Sequence, residues 1–375
     1  MNELITKSGL QHIWDKVQNG KRISEEDALT LFKCPDLNAV GYIADFVRNK
    51  INGASATFIL NRYINYSNVC ILNCQFCSFA RRKRDPGAFQ YTIEEMVEMT
   101  RESLEQGITE IHMVGGLHPS LPFSFYLDLL KALKSVGPDL HLKCFTAVEI
   151  RHLSMKAKLS ITDTLKALKE SGLGSLTGGG AEIFDPTVRD QICRGKESAE
   201  EWAEVHETWH KMGGRSTCTM LFGHVETLEH RVDHLRRLRE IQDRTGGFTG
   251  FIPLAFHPEN NKLSHINPVS GYDSLRTLAV SRIFLDNIDH ITAYWVGFGL
   301  ALSQVALSYG VDDLHGTIME EKIFQMAGAD SAHGQSVGRL VHAIREVGRI
   351  PVQRGSHYEH LKTFSITNEV VAGLV

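Results

Sequence analysis

The chain has 375 residues, 42% of them hydrophobic and 22% charged, and a formal net charge of -4. That balance is ordinary for a soluble globular protein, and the length suffices for one large α/β barrel or two average domains. No broad basic field is available to draw nucleic acid or an anionic membrane, so a small-molecule substrate is favoured.

Residues 1–55 predict a helical extension. Leu4, Ile5, Leu10, Ile13 and Val17 recur between Lys7, Asp15 and Lys16 as on an amphipathic helix. The pattern is too charged for a signal peptide or a membrane span, and a cytoplasmic protein with reduced thiols is expected. The seven cysteines are odd in number, and Cys70, Cys74 and Cys77 crowd into one short stretch. That suits metal binding better than a disulfide framework.

From residue 56 to 320 strand-like and helix-like stretches alternate. Strands are expected at 58–64, 110–114, 142–147, 174–177, 216–222, 250–255 and 291–295, with a short last one ending near Asp312. Thr92 with Glu95, and Ser198 with Glu201, carry the capping-box pattern that opens helices. Eight strand–helix units in this length match a (β/α)8 TIM-type barrel. A doubly wound open sheet is the alternative, since periodicity alone does not show closure. Residues 321–375 read as a C-terminal helical segment packing on the barrel.

In a barrel, function sits where strands end and loops begin. The cysteines follow the first expected strand, Gly115, Gly116, Leu117 and His118 the second, and Glu149 the third. Gly178, Gly179, Gly180 and Glu182 follow the fourth, Gly223, His224 and Glu226 the fifth, and His257 to Asn260 the sixth. Glycines, histidines and acids gathered at one end of successive strands describe an active-site rim.

The segment Cys70-Ile71-Leu72-Asn73-Cys74-Gln75-Phe76-Cys77 spaces its thiols as C-x3-C-x2-C. Four thiolates close a [4Fe–4S] cluster as an electron carrier; three leave one iron open to a substrate. The alternative is a zinc site completed by Cys34, Cys144 or a histidine, or a non-catalytic iron–sulfur protein. No second C-x2-C pair occurs elsewhere, and Cys34, Cys144, Cys193 and Cys218 sit in apolar stretches as packing residues.

With Phe76 as its aromatic residue, the cysteine loop resembles the signature of the radical S-adenosylmethionine superfamily. The stretches 61–70, 113–119, 177–183, 216–226 and 251–260 are similar to the aminodeoxyfutalosine synthase family of menaquinone biosynthesis. The dehypoxanthine futalosine cyclases and deazaflavin-forming synthases are its near relatives, and segments 253–258 and 116–119 favour the synthase.

The resemblance implies a [4Fe–4S] cluster on Cys70, Cys74 and Cys77, with S-adenosyl-L-methionine as co-substrate. The implied reaction adds a 5′-deoxyadenosyl radical to the vinyl carbon of 3-[(1-carboxyvinyl)oxy]benzoate. Rearrangement and loss of carbon dioxide or bicarbonate then give 6-amino-6-deoxyfutalosine. Flavodoxin or ferredoxin is the implied reductant, and the basic run Arg81 to Arg84 beside the cluster loop is either its dock or a solvated turn.

The resemblance also assigns roles along the rim. Gly115 and Gly116 would present backbone to the methionine amino group, although Leu117 stands where the superfamily usually has an acid. Gly179 and Gly180 would carry the adenosyl moiety and Glu182 the ribose hydroxyls. Lys196, or its rival Arg194, would hold the methionine carboxylate, and Phe76 would wall the same site. Read from the rim itself, His224 and His257, with His118 and His315 in similar positions, are the candidates for binding or proton transfer at the reacting atoms, the alternative for each being a satisfied structural histidine. Arg62 and Arg282 read as structural.

Overall fold

The computed structural model describes residues 2–365. The strand that opens the barrel comes in two consecutive pieces, β1 (Ser55–Ile59) and β2 (Asn61–Ile64). From β2 the parallel order runs through β3 (Glu110–Met113), β4 (His141–Cys144), β5 (Ser175–Leu176), β6 (Arg215–Phe222) and β7 (Phe248–Ala255). A further strand, β8 (Asp313–Gly316), pairs in parallel with β1.

Between β7 and β8 the ring is completed by two isolated parallel bridges, Phe251 to Ile291 and Thr292 to Asp313. The barrel therefore closes, with helices on its outside, and the open sheet is excluded. Two expected strands need correction. The stretch 291–295 forms only those bridges, because the chain turns into the helix Trp295–Phe298 and the Trp295 indole N–H donates to Gly316 O. The last strand begins at Asp313 instead of ending near Asp312.

The segment from 321 onward is also not purely helical. Helices Ile323–Met326 and Val337–Glu346 are followed by β9 (Ile350–Arg354) and β10 (His360–Thr363). β9 adds in parallel to β1, and β10 returns antiparallel to β9. Residues 366–375 of that segment lie outside the described residues.

The N-terminal residues form helices Asn2–Lys7, Gln11–Gln18, Glu25–Lys33 and Leu37–Asn52. The last packs along Gly271–Phe284 on the outside of the barrel. The expected capping boxes at Thr92 and Ser198 form, and Thr146 with Glu149 makes another. Among the described residues no helix is long and apolar enough to cross a membrane.

Candidate active site

The C-terminal ends of the strands open on one cavity of about 300 Å³, the lower end of the range for small-molecule sites. Cys70, Cys74 and Cys77 line its wall on the loop that follows β2. Backbone hydrogen bonds fix that loop: Cys70 N donates to Arg81 O at 2.9 Å, and Gln75 N to Ile192 O at 2.7 Å. Leu72 N approaches the Cys70 sulfur at 3.4 Å, and Ala80 N approaches that of Cys77 at 3.4 Å, where it favours the thiolate. Burial pushes the Cys74 thiol up to about 12 and the Cys77 thiol up as well, so metal ligation must displace their protons.

The next wall is the end of β3. Gly116 is required there by close approach, since a Cβ would stand 2.5 Å from Val69 O. Glu149, on the helix Ala147–Ala157, organises this corner. One of its oxygens accepts from Tyr66 Oη at 2.8 Å and Gly115 N at 3.1 Å, the other from Thr146 N and Thr146 Oγ1. Burial nevertheless outweighs these donors and moves its carboxyl above the ordinary range.

Gly178, Gly179, Gly180 and Glu182 line the opposite wall. At Gly178 a Cβ would lie 2.6 Å from Cys218 Cα, so the chain passes too close to β6 for any side chain. Glu182 is in the left-handed region, with φ 46°. Its carboxylate pairs with the buried Lys196 ammonium, which lies 5.7 Å from the centre of the Phe76 ring. Although burial opposes the charge, Glu182 and Glu197 more than offset it and hold Lys196 protonated. Arg194, its rival, is exposed and paired with Asp190.

Of the expected histidines, His257 and His315 line the cavity, whereas His224 and His118 do not. The His224 side chain is fully buried. Its Nε2 meets Leu221 O at 3.0 Å, and Nδ1 lies 2.7 Å from Val225 N and 3.1 Å from Glu226. Both nitrogens are committed to the loop after β6, so the expectation of His224 at the reacting atoms is corrected to a loop-bracing role. His118 accepts from Ser120 N and Leu121 N. His257 Nε2 meets Gly297 O at 2.9 Å, with the ring edge against Phe324. Arg62 pairs with Glu320 and Arg282 with Asp312, both structural as expected.

Among the cavity residues that were not anticipated are Tyr63, His112 and Glu321. Tyr63 and His112 are inward positions of strands, marked only by their alternate register. Glu321 is buried beyond β8; its oxygens accept from Ile323 N and Phe324 N, and burial pushes it up to about 7.

Cys34, Cys144, Cys193 and Cys218 stand outside the cavity wall. Among the described residues no three His, Cys, Asp or Glu side chains, the cysteine loop included, are gathered on a single-ion site. Three thiols on one cavity wall, with the other four cysteines off it, fit a cluster that keeps one iron open to the cavity.

Residues 64–238 match the radical SAM superfamily and residues 245–366 the CofH/MqnC C-terminal region. The chain is 44% identical to the aminodeoxyfutalosine synthase of Thermus thermophilus over 94% of its own length and 96% of the relative's. It is 38% identical to the cyclic dehypoxanthine futalosine synthase of Streptomyces coelicolor, over 95% and 90% of the two chains. The solved structure of a methylornithine synthase superposes with a TM-score of 0.74 at 18% identity, covering 91% of this chain and 97% of the other. With the cysteine loop, the closed barrel and these full-length likenesses together, the chain belongs to the radical SAM superfamily, in the family of the aminodeoxyfutalosine synthases and their CofH/MqnC-type relatives.

Proposed function

We propose that this protein is an aminodeoxyfutalosine synthase. It would join S-adenosyl-L-methionine to 3-[(1-carboxyvinyl)oxy]benzoate and release 6-amino-6-deoxyfutalosine, methionine, and carbon dioxide or bicarbonate. The observation that carries this reading is the likeness to the Thermus enzyme along nearly the whole of both chains.

Cys70, Cys74 and Cys77 would hold the [4Fe–4S] cluster. When bound, the cluster and S-adenosylmethionine supply the 5′-deoxyadenosyl radical. The chain's own part is to bind and orient. Backbone at Gly115, held by Glu149, and at Gly116 would face the methionine amino group. Lys196 would offer its ammonium to the methionine carboxylate, and Glu182 its carboxylate to the ribose hydroxyls. Gly179, Gly180 and Phe76 wall the nucleoside, and His257 stands on the side open to the second substrate. The surrounding apolar residues exclude water, which protects a reactive carbon radical from quenching.

Arg82, Lys83 and Arg84 are exposed beside the cluster loop, and Arg82 Nη1 donates to Cys70 O at 2.7 Å. This patch suits an acidic reductant such as flavodoxin or ferredoxin. The test is one incubation series: anaerobically reconstituted protein carrying about four irons, reduced by flavodoxin at rising salt, with both substrates. The expected product has adenine covalently joined to the aryl group, formed more slowly as salt rises. Free 5′-deoxyadenosine without adduct would instead indicate hydrogen abstraction, as in the cyclase reading. A salt-independent rate would remove the docking patch.

A further inference from the structure

We propose that His112 and His315, on the barrel floor beneath the cluster loop, form the seat for the aromatic carboxylate of the second substrate. The inference rests on the synthase reading and deepens it, by assigning one end of the substrate to named side chains.

The floor of the cavity is made by the strand residues Tyr63, His112, Thr219 and His315, with Tyr294 just before the helix Trp295–Phe298. Thr219 Oγ1 donates to Gly178 O at 2.8 Å, and Thr177 Oγ1 to Phe145 O at 3.0 Å, so those hydroxyls are already spent. The imidazoles are not. His112 is 8% exposed, and its Nδ1 is buried without a hydrogen-bond partner. His315 is 2% exposed; its Nε2 meets Tyr63 Oη at 3.2 Å, and its Nδ1 is unpartnered. Buried polar groups in folded proteins nearly always find partners. Two open imidazoles on one cavity floor point to a polar ligand.

The rings are also held in place. His112 stacks on Tyr63 with centroids 4.1 Å apart and planes at 4°. His315 meets Tyr63 and Tyr294 edge-on at 5.7 and 5.1 Å. The backbone that carries His315 is strained: His315, Ile318 and Met319 all have φ between 65° and 67°. A β-branched residue there is a true outlier. The strain is maintained by His315 N donating to Asp313 Oδ2 at 3.1 Å and Ile318 N to Asn61 Oδ1 at 3.0 Å. Strain that the surroundings enforce gathers at functional sites.

Charge selects the ligand. Lys196 is the one Lys or Arg on the cavity wall among the described residues, and it faces the cluster loop paired with Glu182. Deeper in the cavity the groups able to donate to an acid are imidazoles, phenols and the Glu321 carboxyl, which burial pushes up to about 7. Burial, reinforced by Lys143 on β4, keeps both histidines neutral, each with an N–H to give. Glu110 on β3 and Arg354 on β9 act on His315 as well, and Glu321 stands near the two phenols. The vinyl carbon of the substrate must lie against the wall of cysteines and glycines. On a meta-substituted ring, the benzoate carboxylate then falls at the opposite end, toward the floor.

The test compares the acid with its benzamide analogue, in which the ring carboxylate is a neutral carboxamide, by calorimetry on the cluster-loaded protein. Wild-type protein should bind the acid about ten- to a hundredfold more tightly than the amide, the range for a charge-assisted hydrogen-bonded pair. In His112→Gln and His315→Gln that preference should shrink to a few-fold. Equal binding of acid and amide by the wild type would overturn the assignment, and this arm requires no variant to fold. An undiminished preference in both variants would overturn it too. Failure of the synthase reading is separate: wild-type protein would then make no adenine–aryl adduct from the acid, whatever its affinity.

Discussion

Glu149 shows how much one side chain can settle at the rim. Its two oxygens receive two donors each, so every acceptor position that ionisation provides is in use. Glu149→Gln would aim an NH2 group at the donors of Thr146 or at Tyr66 and Gly115, and Glu149→Ala would leave the Gly115 and Thr146 donors unpaired and Tyr66 Oη with only Gly116 O at 3.3 Å. A buried, unsatisfied group of this kind costs about 1–3 kcal/mol. We expect both variants to unfold at lower denaturant and to raise the KM for S-adenosylmethionine, because the Gly115 backbone loses its anchor. Unchanged midpoint and KM in both would remove Glu149 from the site. At this scale the cysteines were readable, because three thiols at fixed spacing have few structural explanations. His112 and Tyr63 were not, because a lone residue in a strand carries no pattern beyond its inward register. His224 misled for a related reason. A histidine at a strand end has the right address, but only its hydrogen bonds show that the ring is already occupied.

At the scale of elements, the strands that form continuous apolar runs were legible, and those defined by distant partners were not. The pair Asp312 and Asp313 reads as a loop boundary, yet both side chains are buried. Asp312 is held by Arg282 and His290, and Asp313 by Arg354, Thr57 and Thr292. These partners lie tens to hundreds of residues away, beyond any local window. β9 and β10 escaped notice likewise, since β9 gains its place from pairing with β1. Arg354 is the link: it meets Asp313 through two nitrogens, at 2.7 and 3.1 Å, while the same aspartate receives His315 N. The C-terminal hairpin thus braces the strained segment at the cavity floor. Arg354→Ala leaves a carboxylate buried without its cation, a change worth about 3–5 kcal/mol. Chemical denaturation should register that loss. A variant as stable as the wild type would show that the hairpin is not needed to hold Asp313.

The whole molecule carries an unusual load of buried imidazole, and this sets its response to acid. The chain contains 18 histidines. Burial pulls His141 and His210 down to about 4 and His234 to about 3, with neighbouring Lys143 and His357 adding to the effect at His141 and Arg215 at His210. In the unfolded chain these rings titrate near 6.5. Between 6.5 and the folded values the unfolded chain binds more protons than the native one, so stability rises with pH across that window. The contribution is fully present above about 6.5 and is lost as pH falls toward 4 and then 3. A histidine moved from 6.5 to about 4 represents about 3 kcal/mol when its effect is fully expressed. Three such sites exceed a large part of the 5–15 kcal/mol that holds a typical domain together. Thermal or denaturant midpoints should therefore be nearly flat above pH 7 and fall steeply below pH 6. His234→Phe, which stacks on Phe184 at 4.0 Å and gives up only the bond to Thr219 O, should flatten part of that slope. A midpoint independent of pH between 7 and 5 would mean that these rings are charged inside the fold, against their apolar surroundings.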